Sequence, residues 1–83
     1  MKVGDKGGKP HIVRGEVAIP PRHAMRFVGE GLAKGSERDN YVGALFTLYM
    51  RGDFDPSDNA RFERLIKKEG TPAEQERLAN LKK

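Results

Sequence analysis

Residues 17–50, VAIPPRHAMRFVGEGLAKGSERDNYVGALFTLYM, decide the fold. They indicate the end of a strand, a proline stop, a helix, a Gly-Ser turn and a second, strongly apolar helix. The strand itself is predicted over residues 11–19. Its two faces would be Val13, Gly15, Val17 and Ile19 against Ile12, Arg14, Glu16 and Ala18. A lone strand leaves backbone groups unpaired, so we expect its partner strand to come from a second copy of the chain.

Local signals set the limits of the first two helices. Pro20 and Pro21 end the strand and open a helix predicted over Pro21–Lys34. Gly35 suits the left-handed position after that helix, and Ser36 is expected to cap the next one, with Asp39 as a weak capping-box partner. The second helix is apolar nearly all round, so we expect it to form the core.

Two further helix starts follow Gly52. Asp55 is expected to cap a helix that begins at Pro56 and stops at Gly70. Thr71 and Glu74 have capping-box spacing and predict a last short helix. The chain therefore divides into a basic arm over residues 1–10, expected to be flexible, a strand–helix–helix core over residues 11–50 and a helical extension over residues 51–83, all in one domain.

Composition limits the classes of function. The chain has 83 residues, 36% of them hydrophobic, and no cysteine, so neither a disulfide nor a thiolate metal site can stabilise a small core. A net charge of +4 favours polyanionic partners, although many small soluble domains are equally basic. No apolar segment is long enough to span a membrane, and the first residues do not resemble a signal peptide. We therefore expect a cytoplasmic protein without a membrane partner, or one in the host cytoplasm or virion if a phage encodes it.

The sequence contains little that indicates a catalytic site or a metal-binding site. The two histidines, His11 and His23, have no ligands at metal-binding spacing, and Asp53, Asp55 and Asp58 lack the glycine and glutamate of a calcium loop. No nucleophile–base pair is evident, so we expect neither an enzyme nor a cofactor. Four aromatic residues could stack on bases or pack in the core, and core packing is favoured: Tyr41, Phe46, Tyr49 and Phe54.

From Val17 to Met50 the chain resembles the ribbon-helix-helix superfamily of small dimeric DNA-binding repressors and antitoxins. The matching pieces are the strand end 17–20, the helix to Lys34, the Gly35–Ser36 turn and the apolar segment 41–45. The resemblance implies a mainly α fold with one short N-terminal strand. The strand would pair between two chains as a two-stranded ribbon, and two C-terminal helices would follow the core.

The resemblance also implies roles for individual residues. Outward side chains of the ribbon would contact DNA bases: Arg14, Glu16 and Ala18. The start of the second helix would contact a phosphate through Ser36, Glu37 and Arg38. The dimer core would contain Val17, Ile19, Val42, Leu45, Phe46 and Tyr49. Glu16 and Glu37 depart from the family pattern, because their negative charge repels phosphates.

Two functions remain open at this point. The first is a homodimeric transcriptional regulator that binds double-stranded DNA by laying a β-ribbon in the major groove. The alternative is a non-enzymatic protein-interaction module, such as a minor phage virion component or a phage inhibitor that docks on a larger host protein. In the second case the C-terminal helices could carry the contact.

Overall fold

A computed structural model of the chain describes residues 2–6 and 9–82, with side chains for residues 11–82. Three N-terminal strands form an antiparallel sheet in the order β1-β2-β3: β1 Lys2–Lys6, β2 Lys9–Arg14 and β3 Val17–Ile19. Four helices follow: α1 Pro21–Gly29, α2 Gly35–Arg51, α3 Pro56–Glu69 and α4 Pro72–Leu81. The mainly helical class with two C-terminal helices is confirmed. The structure places Lys2–Lys6 of the predicted arm in β1, while Met1, Gly7 and Gly8 lie outside the described residues.

The prediction of one continuous strand over residues 11–19 is wrong. A tight turn at Gly15 and Glu16 divides it, and Arg14 pairs with Val17 directly across the turn. Gly15 has a φ of +63°, a left-handed value that only glycine adopts readily and that starts the type II′ hairpin turn. The partner of β3 is therefore β2 of the same chain, so β3 needs no second copy to pair.

The hairpin also changes which residues share a face. Ile12 lies opposite Ile19, and both are buried against the helices. Directly opposed residues of an antiparallel pair point to the same side, so Arg14 and Val17 lie on this inner face near its rim. The next pair, Val13 and Ala18, lies on the outer face. The two faces predicted for a single strand are wrong because the turn shifts the alternation.

Helix α1 ends at Gly29, well before the predicted Lys34. Gly31 has a φ of +73°, its N–H donates to the Val28 carbonyl at 3.2 Å, and the Leu32 N–H donates to the Phe27 carbonyl at 2.9 Å. These two hydrogen bonds together form the Schellman motif, which satisfies the last carbonyl groups of a helix.

The start of α2 also differs from the prediction. Lys34, not Ser36, is the residue before the helix, and its side chain makes no capping hydrogen bond. Gly35 has the expected left-handed φ of +60°, but it is the first residue of α2 and does not close α1.

The starts of α3 and α4 are confirmed. The Asp58 N–H donates to Asp55 Oδ1 at 2.7 Å, and α3 ends before Gly70. The Glu74 N–H donates to Thr71 Oγ1 at 3.2 Å, while the Thr71 N–H donates to Glu74 Oε1 at 2.9 Å. These two reciprocal bonds complete the capping box.

Helix α2 lies at the centre of the core. Four of its side chains have no solvent exposure: Tyr41, Leu45, Phe46 and Leu48. Phe46 meets Phe62 of α3 edge-on at a centroid distance of 5.0 Å. Within the predicted dimer core, Ile19, Val42, Leu45 and Phe46 pack inside this single chain, Tyr49 is half-buried and Val17 is 61% exposed. Tyr41, Phe46 and Phe54 are buried core residues, which agrees with the core interpretation of these aromatic residues.

We predict that Gly31→Ala lowers the free energy of unfolding by about 1–2 kcal/mol, because alanine is strained in the left-handed region. No atom lies within 4 Å of the position that its Cβ would take, so the loss comes from the backbone alone. Gly43→Ala, inside α2 and equally open, is the matched control and should stabilise the protein by about 0.5–1 kcal/mol. Urea denaturation measures both changes, and a Gly31→Ala variant as stable as the parent would contradict the assignment.

Candidate functional site

A groove of about 320 Å³ runs between α1 and α3 and carries most of the unpaired positive charge on these two helices. Its rim consists of five cationic side chains: Arg22, Arg26, Arg61, Arg64 and Lys68. Its apolar floor consists of Met25, Gly29 and Leu65, and the one carboxylate in its lining belongs to Glu69. We call this surface the cationic groove.

Helical spacing places the cations in two rows. Arg22 and Arg26 are four residues apart on α1, and Arg61, Arg64 and Lys68 follow the same helical rule on α3. The two helices are close together at Gly29, where an added Cβ would lie 3.4 Å from Leu65 Cδ1. The two rows therefore face a common channel from opposite sides.

The cations of the two rows differ in their partners. On α1, Arg22 Nε donates to Asp58 Oδ1 at 2.9 Å, and Arg26 Nε donates to Glu30 Oε2 at 2.7 Å. The hydrogen bond that Arg22 donates to Asp58 raises the pKa of the Arg22 guanidinium above its ordinary value. On α3, Arg61, Arg64 and Lys68 are exposed and form no ion pair or hydrogen bond with any side chain of residues 11–82. An anion can reach this row without displacing an internal carboxylate.

The structure does not bring the three predicted base contacts onto one surface. Arg14 lies on the inner face of the hairpin, where Nη1 is 2.9 Å from Glu37 Oε1 and 3.5 Å from the Tyr41 hydroxyl. Glu16 lies in the turn, and Ala18 lies on the outer face. In a hairpin with this register, the side chains predicted to contact DNA bases do not form the single row that one continuous strand would give.

Two of the three predicted phosphate contacts are paired with other side chains of the same chain. Ser36 is exposed in the first turn of α2, and Glu37 is paired with Arg14. The Arg38 guanidinium donates to both carboxylate oxygens of Glu74 at 2.9 Å and to the Glu69 carbonyl at 3.1 Å. Arg38 therefore ties the start of α2 to the start of α4.

Sequence analysis did not predict the cationic groove, although the sequence shows one of its two rows of cationic residues. The spacing of Arg61, Arg64 and Lys68 defines one helical row beside the buried residues Phe62 and Ile66. No local pattern shows that this row lies opposite Arg22 and Arg26, because the two helices are far apart in sequence.

A second concavity of about 520 Å³ lies between β3 and α1. Its lining consists of Arg14, Val17, Ala18, Ile19, Pro20, His23, Phe27 and Tyr41. The rings of His23 and Phe27 lie 5.1 Å apart, and Phe27 lies 6.1 Å from the buried ring of Tyr41. We call this concavity the β3 cleft.

Comparisons with protein families, curated proteins and solved structures found no match to this chain. No helix in the described part of the chain is long and apolar enough to cross a membrane. Among the described residues, no three histidine, cysteine or acidic side chains are grouped as metal ligands would be. The geometry of the groove and of the cleft therefore carries the functional argument.

The Arg38–Glu74 pair predicts a dependence of stability on pH. The hydrogen bonds from Arg38 lower the pKa of Glu74 below its ordinary value of 4.5. The stabilisation is therefore complete above about pH 5 and is lost as the pH falls through the lower pKa of the folded state. Glu74→Gln keeps the reach of the capping box but removes the charge, so we expect it to lower the free energy of unfolding at pH 7 by about 1–2 kcal/mol.

Urea denaturation at pH 7 and at pH 3 tests this prediction. The difference between the parent and Glu74→Gln should shrink at the lower pH, because Glu74 is then largely protonated in the unfolded state and the stabilisation that comes from its lowered pKa in the folded state decreases. Glu76→Gln, at an exposed position of the same helix, is the matched control and should change little at either pH. An equal loss for Glu74→Gln at both pH values would contradict the ionic origin of the effect.

Proposed function

We propose that this protein binds nucleic acid through the phosphate backbone, with the cationic groove between α1 and α3 as the contact surface. The observation that carries the proposal is the convergence of five cationic side chains on one channel, three of them without a carboxylate partner among residues 11–82. The net charge of +4 adds a long-range attraction for the same class of partner. The proposal keeps the DNA-binding hypothesis and moves the contact from the β-ribbon to the helices.

The chemistry of the rim suits phosphate. Four of the five cations are arginines, and a guanidinium offers a planar fork of donors that matches two phosphate oxygens. Arg22 and Arg26 keep further N–H donors, because each uses only Nε for its internal carboxylate. Both rows can therefore contact an anion at the same time.

The length of the groove suits an extended polyanion. Arg61 and Lys68 are seven residues apart on α3, which corresponds to about 10 Å along the helix axis. Successive phosphates of one DNA strand advance by about 3.4 Å, so the row spans about three of them. No aromatic side chain lines the groove, so it offers no aromatic surface on which an unpaired base could stack.

The apolar floor supports a second candidate function. Met25 and Leu65 would favour an acidic amphipathic helix of a larger protein, which is the interaction-module hypothesis applied to this surface. A polyanion and an acidic helix differ in salt dependence, because only binding to a nucleic acid releases a condensed counterion atmosphere. The experiment below separates the two candidates.

We predict that Arg61→Gln/Arg64→Gln weakens binding to a duplex and makes the slope of log K against log salt shallower by about 1.8, about 0.9 for each lost phosphate contact. The measurement is fluorescence anisotropy of a labelled 16-bp duplex at several salt concentrations. Lys34→Gln/Lys67→Gln removes the same charge from exposed positions outside the groove and is the matched control.

The control should keep the parent slope to within about half a unit. Equal effects of the two double variants would show that only net charge matters, and the groove would lose its assignment. A parent protein with no salt-dependent affinity for the duplex or for a single strand would overturn nucleic-acid binding and favour the acidic partner helix.

A further inference from the structure

The β3 cleft shares helix α1 with the cationic groove. Arg22 and Arg26 line the groove, whereas the next residues along the chain, His23 and Phe27, line the cleft. Consecutive Cα atoms are about 3.8 Å apart, and consecutive side chains of a helix point about 100° apart. A charged row and an aromatic row therefore run side by side along one helix, each facing a different concavity.

The aromatic row of α1 packs near a buried aromatic ring of the core. Phe27 is half-buried, and its ring rests near the ring of Tyr41, which has no solvent exposure. His23 is exposed, and its ring lies 5.1 Å from the Phe27 ring with an interplanar angle of 59°. The cleft thus offers a fixed apolar ring with a planar polar ring beside it, an arrangement on which a flat heterocycle can stack.

Polar groups lie at the other wall of the cleft. Arg14 uses Nη1 for Glu37 and for the distant Tyr41 hydroxyl, so the remaining donors of its guanidinium are not committed to these partners. His23 also lines the cleft, and in a neutral imidazole one ring nitrogen donates while the other accepts. Donor and acceptor groups next to an aromatic surface match the edge of a nucleobase, which carries both kinds of group.

We propose that the β3 cleft binds one unpaired nucleobase, stacked on Phe27, while the adjoining phosphates lie against Arg22 and Arg26. This proposal rests on the proposed function, because the groove supplies the backbone contact. A base inside a duplex is stacked on both faces and cannot enter the recess between β3 and α1. The protein should therefore favour single strands, bulges or ends over a continuous duplex.

The first experiment leaves the protein unchanged. Anisotropy competition compares three probes of equal length: a dodecamer of thymidylate, an abasic dodecamer with the same phosphates, and a 12-bp duplex. We expect the thymidylate probe to bind about tenfold more tightly than the abasic one, which lies within the range that one base stacked on an aromatic side chain contributes. Equal affinities for these two probes would overturn the base-binding cleft and leave the cationic groove standing.

Variants then locate the base. Phe27→Leu should lower the affinity for the thymidylate probe about tenfold and leave the affinity for the duplex within twofold of the parent value. His23→Ala, at an exposed position, should act in the same direction and guards against a folding defect in the Phe27 variant. Arg61→Gln/Arg64→Gln should lower the affinity for all three probes in parallel.

The outcomes separate the two proposals. If Phe27→Leu and His23→Ala both bind the thymidylate probe as the parent does, the cleft does not hold the base and the proposal fails, while salt-dependent binding to the groove stands. If none of the three probes binds the parent protein, the nucleic-acid function fails and the cleft proposal fails with it.

Discussion

The burial of α2 constrains the rest of the structure. This helix has almost no polar face after its first turn, so it must be covered on most sides. Ile12 of β2, Met25 and Val28 of α1, and Phe62 of α3 are buried in the same core as α2. A chain of 83 residues has few secondary-structure elements. The apolar surface of α2 is therefore covered by all the others: the N-terminal hairpin, α1, α3 and α4.

The same constraint places α1 between two concavities. One side of α1 faces the core, and its flanks meet α3 on one side and the β3 hairpin on the other. The flanks therefore expose Arg22 and Arg26 to one concavity and His23 and Phe27 to the other. The surfaces proposed for the nucleic-acid backbone and for the base are neighbours because only α1 lies between the two concavities.

Internal carboxylates determine which cations remain available. Glu74 is committed to Arg38, Glu37 to Arg14, and Glu63 to Tyr49 and Lys82. These contacts fasten α4 and the hairpin to α2 and α3. These three acids are thereby held by partners other than Arg61, Arg64 and Lys68, so the row on α3 keeps its positive charge although Glu69 lines the same groove.

The sequence by itself determined the helical class, the starts of α3 and α4 and the central place of α2. Caps such as Asp55 and Thr71 act over three residues, and the apolar character of α2 can be read without knowing its neighbours. Tertiary structure decided the pairing of β3 with β2, the early end of α1 at Gly29 and the meeting of the two cationic rows. Gly15 is compatible with either a strand or a turn, and the contacts that decide between the two come from residues distant from it in the sequence.

The row on α3 becomes part of a site only when folding brings α1 against it, across some 35 residues of chain. Such pairings depend on which faces must cover the core, and no local pattern encodes them.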